Sequence, residues 1–315
     1  MKQEKPVLVV FAGPNGSGKS SVTNQAFQKG TMPPIYINAD DITKEKIGDR
    51  DISQLTQAQL DKVNLEAANE ADRLRNEALK EGKSFATETV MSTPSKIEFM
   101  REAKAKGYHV HLVYVTTQSS KINLDRVQDR INKGGHAVPP EKTQARYESA
   151  MQLLPEAIQA ADTARVYNNS FEDPRMIMKK TIDGEIKFYP RNPPDLRSKW
   201  TAEKLKSLKQ DVMELDKRFK AIEAAPDSKT IGKNPSAETL YISYAKTALN
   251  ERGSTWSRDA DQAIMKAMIK DGRPPQRVKA AMQYSPSMSG LAGDEKTRQI
   301  DTTVNALIAT SGLKR

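Results

Sequence analysis

The chain has 315 residues, no cysteine, three histidines and a formal net charge of +10. The absence of cysteine excludes a disulfide framework, a thiolate metal site and a cysteine nucleophile, and three histidines argue against a histidine-rich metal centre or a triad hydrolase. The longest apolar run, residues 7–12, is far shorter than the ~20 residues of a membrane-spanning helix. With no signal peptide evident, we expect a cytoplasmic protein with no membrane partner.

The positive charge is concentrated in the C-terminal part of the chain. Residues 191–315 carry a net charge of +8, whereas residues 1–190 carry only +2. This distribution does not indicate a nucleic-acid-binding surface over the whole chain. It does indicate a basic accessory region towards the C-terminus.

The first 190 residues alternate between strand and helix patterns. Strands are predicted at 7–12, 35–37, 85–89, 108–115 and 164–167, with helices at 20–29, 54–81, 95–106, 121–133 and 140–161 and a hairpin at Asp183-Gly184. This alternation predicts an α/β fold, a parallel sheet with helices on both faces.

A proline-rich segment at 190–195 is the predicted domain boundary. Beyond it, residues 199–223 and 236–251 have helical composition, and shorter helices follow. We therefore expect two domains, an α/β domain at 1–194 and a smaller, basic, all-α domain at 195–315.

A phosphate-loop motif connects the first strand to the first helix. It fits G-x-x-x-x-G-K-[ST] and comprises Gly13, Pro14, Asn15, Gly16, Ser17, Gly18, Lys19 and Ser20. Glycines let backbone N–H groups surround nucleotide phosphates, and the helix N-terminus favours negative charge. We expect the fold to be of the P-loop NTPase type and to bind ATP. Lys19 would reach the β- and γ-phosphates, and Ser20 would bind Mg²⁺.

Acidic residues follow the second and third predicted strands, where open α/β sheets place their ligands. A kinase needs a carboxylate near the γ-phosphate as a base for the accepting hydroxyl. Asp40 is the candidate base because it is closer to the strand end, and Asp41 is either a second site residue or the N-cap of a helix starting near Ile42. Glu88 would bind substrate, unless it is only solvated. The fourth strand ends without an acidic residue, which argues against a motor ATPase or GTPase.

Two arginines share one face of the helix predicted at 121–133. Arg126 and Arg130 are four residues apart, and guanidinium groups match the geometry of phosphate oxygens. Together with the Gly134-Gly135 break they indicate a lid with a hinge. His136 and Arg146 are further candidates on this segment, whereas His109 and His111 are expected to face one side of the sheet.

The sequence resembles the zeta toxin family of P-loop kinases over residues 5–170. The resemblance rests on A-G-P-N-G-S-G-K-S (12–20), I-N-A-D-D-I (37–42), A-T-E-T (86–89), G-Y-H-V-H-L-V-Y-V (107–115), R-I-N-K-G-G-H-A-V-P (130–139) and A-R-Y (145–147). It implies ATP-dependent phosphorylation of a hydroxyl on a small metabolite. Founding members phosphorylate the 3′-hydroxyl of the sugar in UDP-N-acetylglucosamine, and relatives act on other nucleotide sugars or on NAD.

The resemblance also implies roles for individual residues. Lys19 would be the phosphate-loop lysine, Asp40 the catalytic base and Glu88, with Thr89 beside it, part of the substrate site. Arg126 and Arg130 match the phosphate-clamping arginines, although they are closer together than in the founding toxins, and His136 stands near the second position. The expected function is a toxin kinase acting on a nucleotide sugar, with a possible antitoxin partner.

Other functions stay open at this stage. The chain could be a polynucleotide or NAD kinase, with nucleic acid held by the basic C-terminal part. The segment 259–281 is weakly similar to helical segments of conjugative relaxases, which would make the tail an interaction module. The alternative for this tail is a helical extension with a solvated basic face.

Overall fold

The computed structural model describes residues 5–48, 50, 55–132, 139–171, 173–189, 199–252, 258–285 and 293–310. They belong to two compact units, Met1–Val212 and Met213–Arg315. The strands of the first unit are β1 (Val7–Ala12), β2 (Ile35–Ile37), β3 (Phe85–Thr89), β4 (His109–Thr116), β5 (Thr163–Asn168), β6 (Arg175–Lys180) and β7 (Ile186–Phe188). Its helices are α1 (Lys19–Gln28), α2 (Ala39–Ile47), α3 (Gln57–Lys80), α4 (Pro94–Ala105), α5 (Ser120–Asn132) and α6 (Pro140–Ala160).

The seven strands form one sheet in the order β2-β3-β1-β4-β5-β6-β7. Strands β1 to β5 are parallel, and the β6–β7 hairpin adds two antiparallel strands at one edge. The α/β prediction is confirmed, and so is the hairpin around Asp183-Gly184. Because parallel strands end at the same edge, the carboxyl ends of β1, β2 and β3 lie side by side there.

Alternation along the strands divides the sheet into two buried faces. On one face Leu8, Val10 and their neighbours pack with apolar side chains of α3, α4 and α6. On the other face Val9 and Phe11 belong to a smaller cluster against which α1 packs. The prediction of helices on both faces is therefore confirmed.

The second unit has only helices as regular secondary structure among its described residues. It contains the end of α7 (Lys199–Ala224), then α8 (Ala237–Arg252), α9 (Arg258–Lys270), α10 (Pro275–Met282) and α11 (Gly293–Thr310). Its core includes Leu240, Tyr241, Met268 and Val304, each at most 1% exposed. The expected smaller all-α part is confirmed. None of the described helices of either unit combines the length and the apolarity needed to cross a membrane.

The start of α2 differs from the expectation that Asp41 caps a helix near Ile42. The helix begins at Ala39, and the cap is Asn38, whose side chain accepts a hydrogen bond from the Asp40 N–H at 3.0 Å. Asn38 has the extended backbone conformation of an N-cap. Both aspartates therefore occupy the first turn, where the helix dipole favours negative charge.

Two predicted features lie outside the described residues. These are the proline-rich boundary at 190–195 and the Gly134-Gly135-His136 segment. The domain limits at 194/195 and the role of His136 stay predictions.

Candidate active site

The phosphate loop begins where β1 ends and is fastened to the strands on either side. Gly13 has a φ of 143°, and a Cβ at this position would lie 2.0 Å from the carbonyl oxygen of Val115. Its N–H donates a hydrogen bond to the carbonyl of Thr89 at the end of β3, at 3.2 Å. Only glycine fits here, and the loop is held to both β3 and β4.

Two asparagines brace the rest of the loop from outside. The Asn123 side chain of α5 donates to the Asn15 carbonyl at 2.5 Å, and the Asn169 side chain, just after β5, donates to the Ser17 carbonyl at 2.8 Å. A Cβ at Gly16 would lie 2.4 Å from the Asn123 carbonyl oxygen, and one at Gly18 would lie 2.0 Å from the Asn169 amide nitrogen. The glycines of the motif therefore make room for these braces.

The loop and the start of α1 have the donors that a phosphate requires. Gly18 caps α1 without a side-chain hydrogen bond, and the first turn of the helix contains no acidic residue. The Ser17 hydroxyl is fully buried and has no hydrogen-bond partner among the described residues. Ser20 is exposed in the first turn. Free N–H groups, an unsatisfied hydroxyl and a helix N-terminus fit a bound nucleotide phosphate.

Lys19 is buried at the start of α1. The residue is 9% exposed, and its Nζ lies 3.1 Å from the Pro14 carbonyl oxygen and 4.0 Å from Glu88 Oε1. Burial lowers the pKa of Lys19, while the negative charge of Glu88 opposes that shift. A substitution of Lys19 therefore disturbs a buried charge pair.

The predicted base and two predicted arginines act on this lysine. The charge of Asp40 raises the pKa of Lys19, whereas those of Arg130 and Arg146 lower it. Asp40 comes from α2, Arg130 from α5 and Arg146 from α6. Charged groups of three helices thus belong to the electrostatic surroundings of the phosphate-loop lysine.

Glu88 is buried in a hydrogen-bond network, so the alternative that it is merely solvated is wrong. Its side chain is 9% exposed. The Tyr36 hydroxyl donates to Glu88 Oε2 at 3.2 Å, and the Asn38 side-chain amide donates to the Tyr36 hydroxyl at 3.1 Å. Burial raises the pKa of Glu88, an effect that the charge of Lys19 and the hydrogen bond from Tyr36 counteract.

Arg126 takes a different place from Arg130 and Arg146. Its guanidinium donates to the carbonyl oxygen of Asn169 at 2.8 Å. Since Asn169 braces the phosphate loop, Arg126 supports that brace. The clamp role that the resemblance implies for Arg126 stays a prediction.

Thr89 and Asp41 border the site without joining the Glu88 network. The Thr89 hydroxyl accepts a hydrogen bond from the Met91 N–H at 3.2 Å, and Met91 is a buried residue with a φ of 57°. Asp41 is half exposed and pairs with Lys44 at 2.9 Å. A small cavity next to Thr89 is lined by Val10, Arg75, Thr87, Thr89, Lys96 and Phe99.

Four polar residues of the site were missed by sequence reasoning. Tyr36 and Asn38 lie two positions apart on and just after β2, so strand alternation could have placed them on one side. Asn169 directly follows the carboxyl end of β5, where ligand-binding residues are expected. Asn123 had no such signal, because it lies within a helix.

A protein-family sequence model described as zeta toxin matches residues 1–192, more than half of the chain. The chain belongs to the zeta toxin family. With the phosphate loop and its charged neighbours, this membership makes the protein an ATP-dependent kinase, a phosphotransferase.

Individual relatives are more distant. An uncharacterized protein of Haemophilus influenzae is 30% identical over 139 residues, which are 44% of this chain and 91% of that protein. A structure of the AvrRxo1-ORF1:-ORF2 complex with ATP is 12% identical, covers 95% of this chain and 80% of its own, and superposes with a TM-score of 0.50. A structure of the PezAT chromosomal toxin–antitoxin system of Streptococcus pneumoniae is 14% identical, with 68% and 89% coverage and a TM-score of 0.43.

Proposed function

We propose that this zeta toxin family kinase phosphorylates a hydroxyl of a nucleotide sugar such as UDP-N-acetylglucosamine and acts as a cytoplasmic toxin. The observation that carries the proposal is the assembly around Lys19. Glu88 lies 4.0 Å away, and Asp40, Arg130 and Arg146 act on the same ammonium group.

The donor side would use the phosphate loop. When bound, Mg·ATP supplies the phosphoryl group and a metal charge that neutralises it. The loop of residues 13–20 would hold the phosphates through backbone N–H groups other than those of Gly13 and Ser17, which donate to protein carbonyls. The Ser20 hydroxyl would be a protein ligand of Mg²⁺. No group of three or more histidines and carboxylates in the described part of the chain could hold a metal ion. Phosphate oxygens and water would complete the coordination, as is usual for Mg²⁺.

The acceptor side would use the carboxylates. Asp40 would take the proton of the acceptor hydroxyl as its oxygen bonds to the phosphoryl group. Glu88 would accept a hydrogen bond from the sugar. Arg130, Arg146 and the lid residue His136 would offset the charge that develops on the phosphoryl oxygens.

The C-terminal unit bears on the alternative of a nucleic-acid substrate. Several of its cations donate to backbone carbonyls of the same unit: Lys246 to Glu223 and Ala225, Arg273 to Gly232 and Lys233, Arg277 to Pro235, and Lys296 to Gln283. These four side chains have a structural role within the unit, which is our basis for proposing a metabolite and not a polynucleotide as the acceptor. Because a cytoplasmic toxin must be restrained in its own cell, the proposal includes an antitoxin protein.

The proposal is tested by competition among acceptors. The full-length protein is incubated with Mg·ATP and equal concentrations of UDP-N-acetylglucosamine, NAD and a 5′-hydroxyl oligonucleotide, and the masses of all three are followed. We expect UDP-N-acetylglucosamine to gain one phosphate, and chelation of Mg²⁺ to stop the reaction. Phosphorylation of NAD or of the oligonucleotide instead would establish one of the alternative functions.

A further inference from the structure

We propose that Tyr36 is a positioning residue for Glu88, and that Asn38 connects it to the helix that carries Asp40. The chain of contacts runs from the Asp40 N–H through Asn38 and Tyr36 to Glu88. It would fix the two acceptor-side carboxylates relative to each other. This inference rests on the proposed acceptor role of Glu88.

The direction of each hydrogen bond follows from chemistry. The Asn38 side-chain nitrogen Nδ2 can only donate, so the Tyr36 hydroxyl accepts from it at 3.1 Å. The hydroxyl proton is then available to Glu88 Oε2 at 3.2 Å. Tyr36 therefore binds the carboxylate as a donor, and a donor of this kind favours the ionised form.

Another hydroxyl near Glu88 does not replace Tyr36. Thr23 Oγ1 lies 3.5 Å from Glu88 Oε2, but it also lies 3.1 Å from the Lys19 carbonyl oxygen. A threonine hydroxyl has one proton, and the shorter contact to the carbonyl takes it. Tyr36 is thus the principal hydroxyl donor to Glu88.

Asn38 is held by both ends of its side chain. Its Oδ1 accepts from the Asp40 N–H at 3.0 Å while its Nδ2 donates to Tyr36. Rotating the amide by 180° would turn Nδ2 towards the Asp40 N–H, and two donors would then face each other, so the N–H contact determines the orientation. Aspartate at this position would keep the cap but lose the donor to Tyr36.

The charges that face Glu88 come from two helices. Lys19 of α1 lowers its pKa, and Asp40 and Asp41 of α2 raise it, as does burial. The Tyr36 hydrogen bond acts in the same direction as Lys19. Removal of the hydroxyl should therefore raise the pKa of Glu88 and move the acidic limb of the activity profile to higher pH.

Tyr36→Phe isolates the hydroxyl because the ring has its own contact. The Tyr36 ring packs edge-on against Phe27 at 5.1 Å between centroids, and phenylalanine keeps that contact. Tyr108→Phe is the matched control. Its hydroxyl lies 2.8 and 2.9 Å from the carbonyl oxygens of Ala78 and Lys83 and shares its one proton between them, at the opposite end of the strands from the phosphate loop.

The experiment compares the wild type with Tyr36→Phe, Asn38→Asp and Tyr108→Phe as full-length proteins. The Glu88 carboxyl is titrated by ¹³C NMR, with its resonance assigned by comparison with Glu88→Gln. Kinetics are measured with the acceptor that the competition experiment identifies. We expect Tyr36→Phe to raise the pKa of Glu88. The KM for the acceptor should rise roughly tenfold, because a hydrogen bond to a charged group is lost. The KM for ATP should stay unchanged. Asn38→Asp should raise the same pKa, and Tyr108→Phe should lower only the melting temperature.

The two proposals fail in different ways. If no acceptor is phosphorylated by the wild type, the proposed function is wrong, while the titration still tests the role of Tyr36. If Tyr36→Phe leaves both the pKa of Glu88 and the acceptor KM unchanged, Tyr36 has only a structural role. Equal losses of activity and stability in Tyr36→Phe and Tyr108→Phe would overturn the inference as well.

Discussion

The two units of this chain use their charged side chains in different ways. In the first unit, charges from separate elements act on one loop, with Glu88 4.0 Å from Lys19 and Arg130 and Arg146 also acting on it. In the second unit, cations such as Lys246 and Arg273 donate to backbone carbonyls of neighbouring turns. Charges of the first kind are available to bind a ligand, whereas cations of the second kind stabilise the backbone of their own unit.

The difference shows why net charge is a poor guide to the site. The C-terminal part holds most of the charge surplus, yet the described cations named above serve its internal structure. The nearly balanced N-terminal part contains the buried Lys19 and Glu88, whose charges are expensive to bury and are retained at the phosphate loop. Burial and convergence indicate function here, and the amount of charge does not.

The largest effect should come from the proposed base. Asp40→Asn removes the proton acceptor, and we expect the turnover rate for the acceptor to fall by about 10²- to 10⁴-fold. The matched control is Asp61→Asn on the exposed face of α3, where the carboxylate accepts only from Gln57 in a local contact. Initial rates at saturating ATP measure both variants. A full rate in Asp40→Asn would remove Asp40 from the base role.

A smaller effect, on the free energy of unfolding and not on the kinase rate, should come from Arg273 in the second unit. Arg273 donates to the Gly232 and Lys233 carbonyls, both at 3.1 Å. Arg273→Met keeps the stem of the side chain, and we expect a loss of about 1–3 kcal/mol in the free energy of unfolding with an unchanged kinase rate. Urea unfolding measures the loss, and Lys270→Met, an exposed cation of α9, should stay within about 0.5 kcal/mol of the wild type.

The same variant tests the nucleic-acid alternative. If Arg273 instead contacts phosphate, Arg273→Met should weaken oligonucleotide binding and lower its salt dependence by about one ion. That result, with an unchanged free energy of unfolding, would show that Arg273 binds a ligand and does not stabilise the second unit.

The smallest expected effect concerns His111, a partly buried histidine of the first unit that lies away from the phosphate loop. Burial, reinforced by the charges of Arg165 and His109, lowers the pKa of His111 from 6.5 to about 4. As pH falls below 6.5, His111 becomes protonated in the unfolded chain but stays neutral in the folded protein. The free energy of unfolding therefore decreases between pH 6.5 and about 4. The loss from pH 7 to pH 5 should be at most about 2 kcal/mol.

His111→Gln should remove this part of the pH dependence. Urea midpoints of wild type and variant at pH 7 and pH 5 give the comparison, since all other titrating groups are shared. Parallel pH dependence in the two proteins would show that His111 does not contribute. The histidines themselves lie as the alternation predicted, both within hydrogen-bond distance of Thr163 Oγ1.

Much of the first unit could be predicted from local signals. The strand at 7–12 and the helix closing at Gly82 are set by apolar runs and by a glycine with a φ of 68°. The phosphate loop follows from its motif, and its confirmed position between β1 and α1 follows from the strand and helix on either side. These features depend on residues that are near each other in sequence.

The environment of Glu88 and Lys19 could not be predicted in the same way. Tyr36 and Glu88 are 52 residues apart, and Asn169 and Ser17 are 152 apart. Such contacts depend on which strands are neighbours and on their register, neither of which local patterns specify. The surroundings of Lys19 likewise depend on a long-range contact, because Glu88, 4.0 Å away, comes from β3.

Helix α7 has a consequence for how the two units can be separated. Its earlier part buries Leu208 and Val212 in the core of the first unit, and its later part buries Phe219 and Ile222 in the core of the second. A fragment ending at residue 194 lacks both Leu208 and Val212 and would open the first core to water. Recombination that replaces the helical unit would therefore need a junction within α7. The replacement sequence would have to continue the helix and supply the apolar residues that Phe219 and Ile222 provide here.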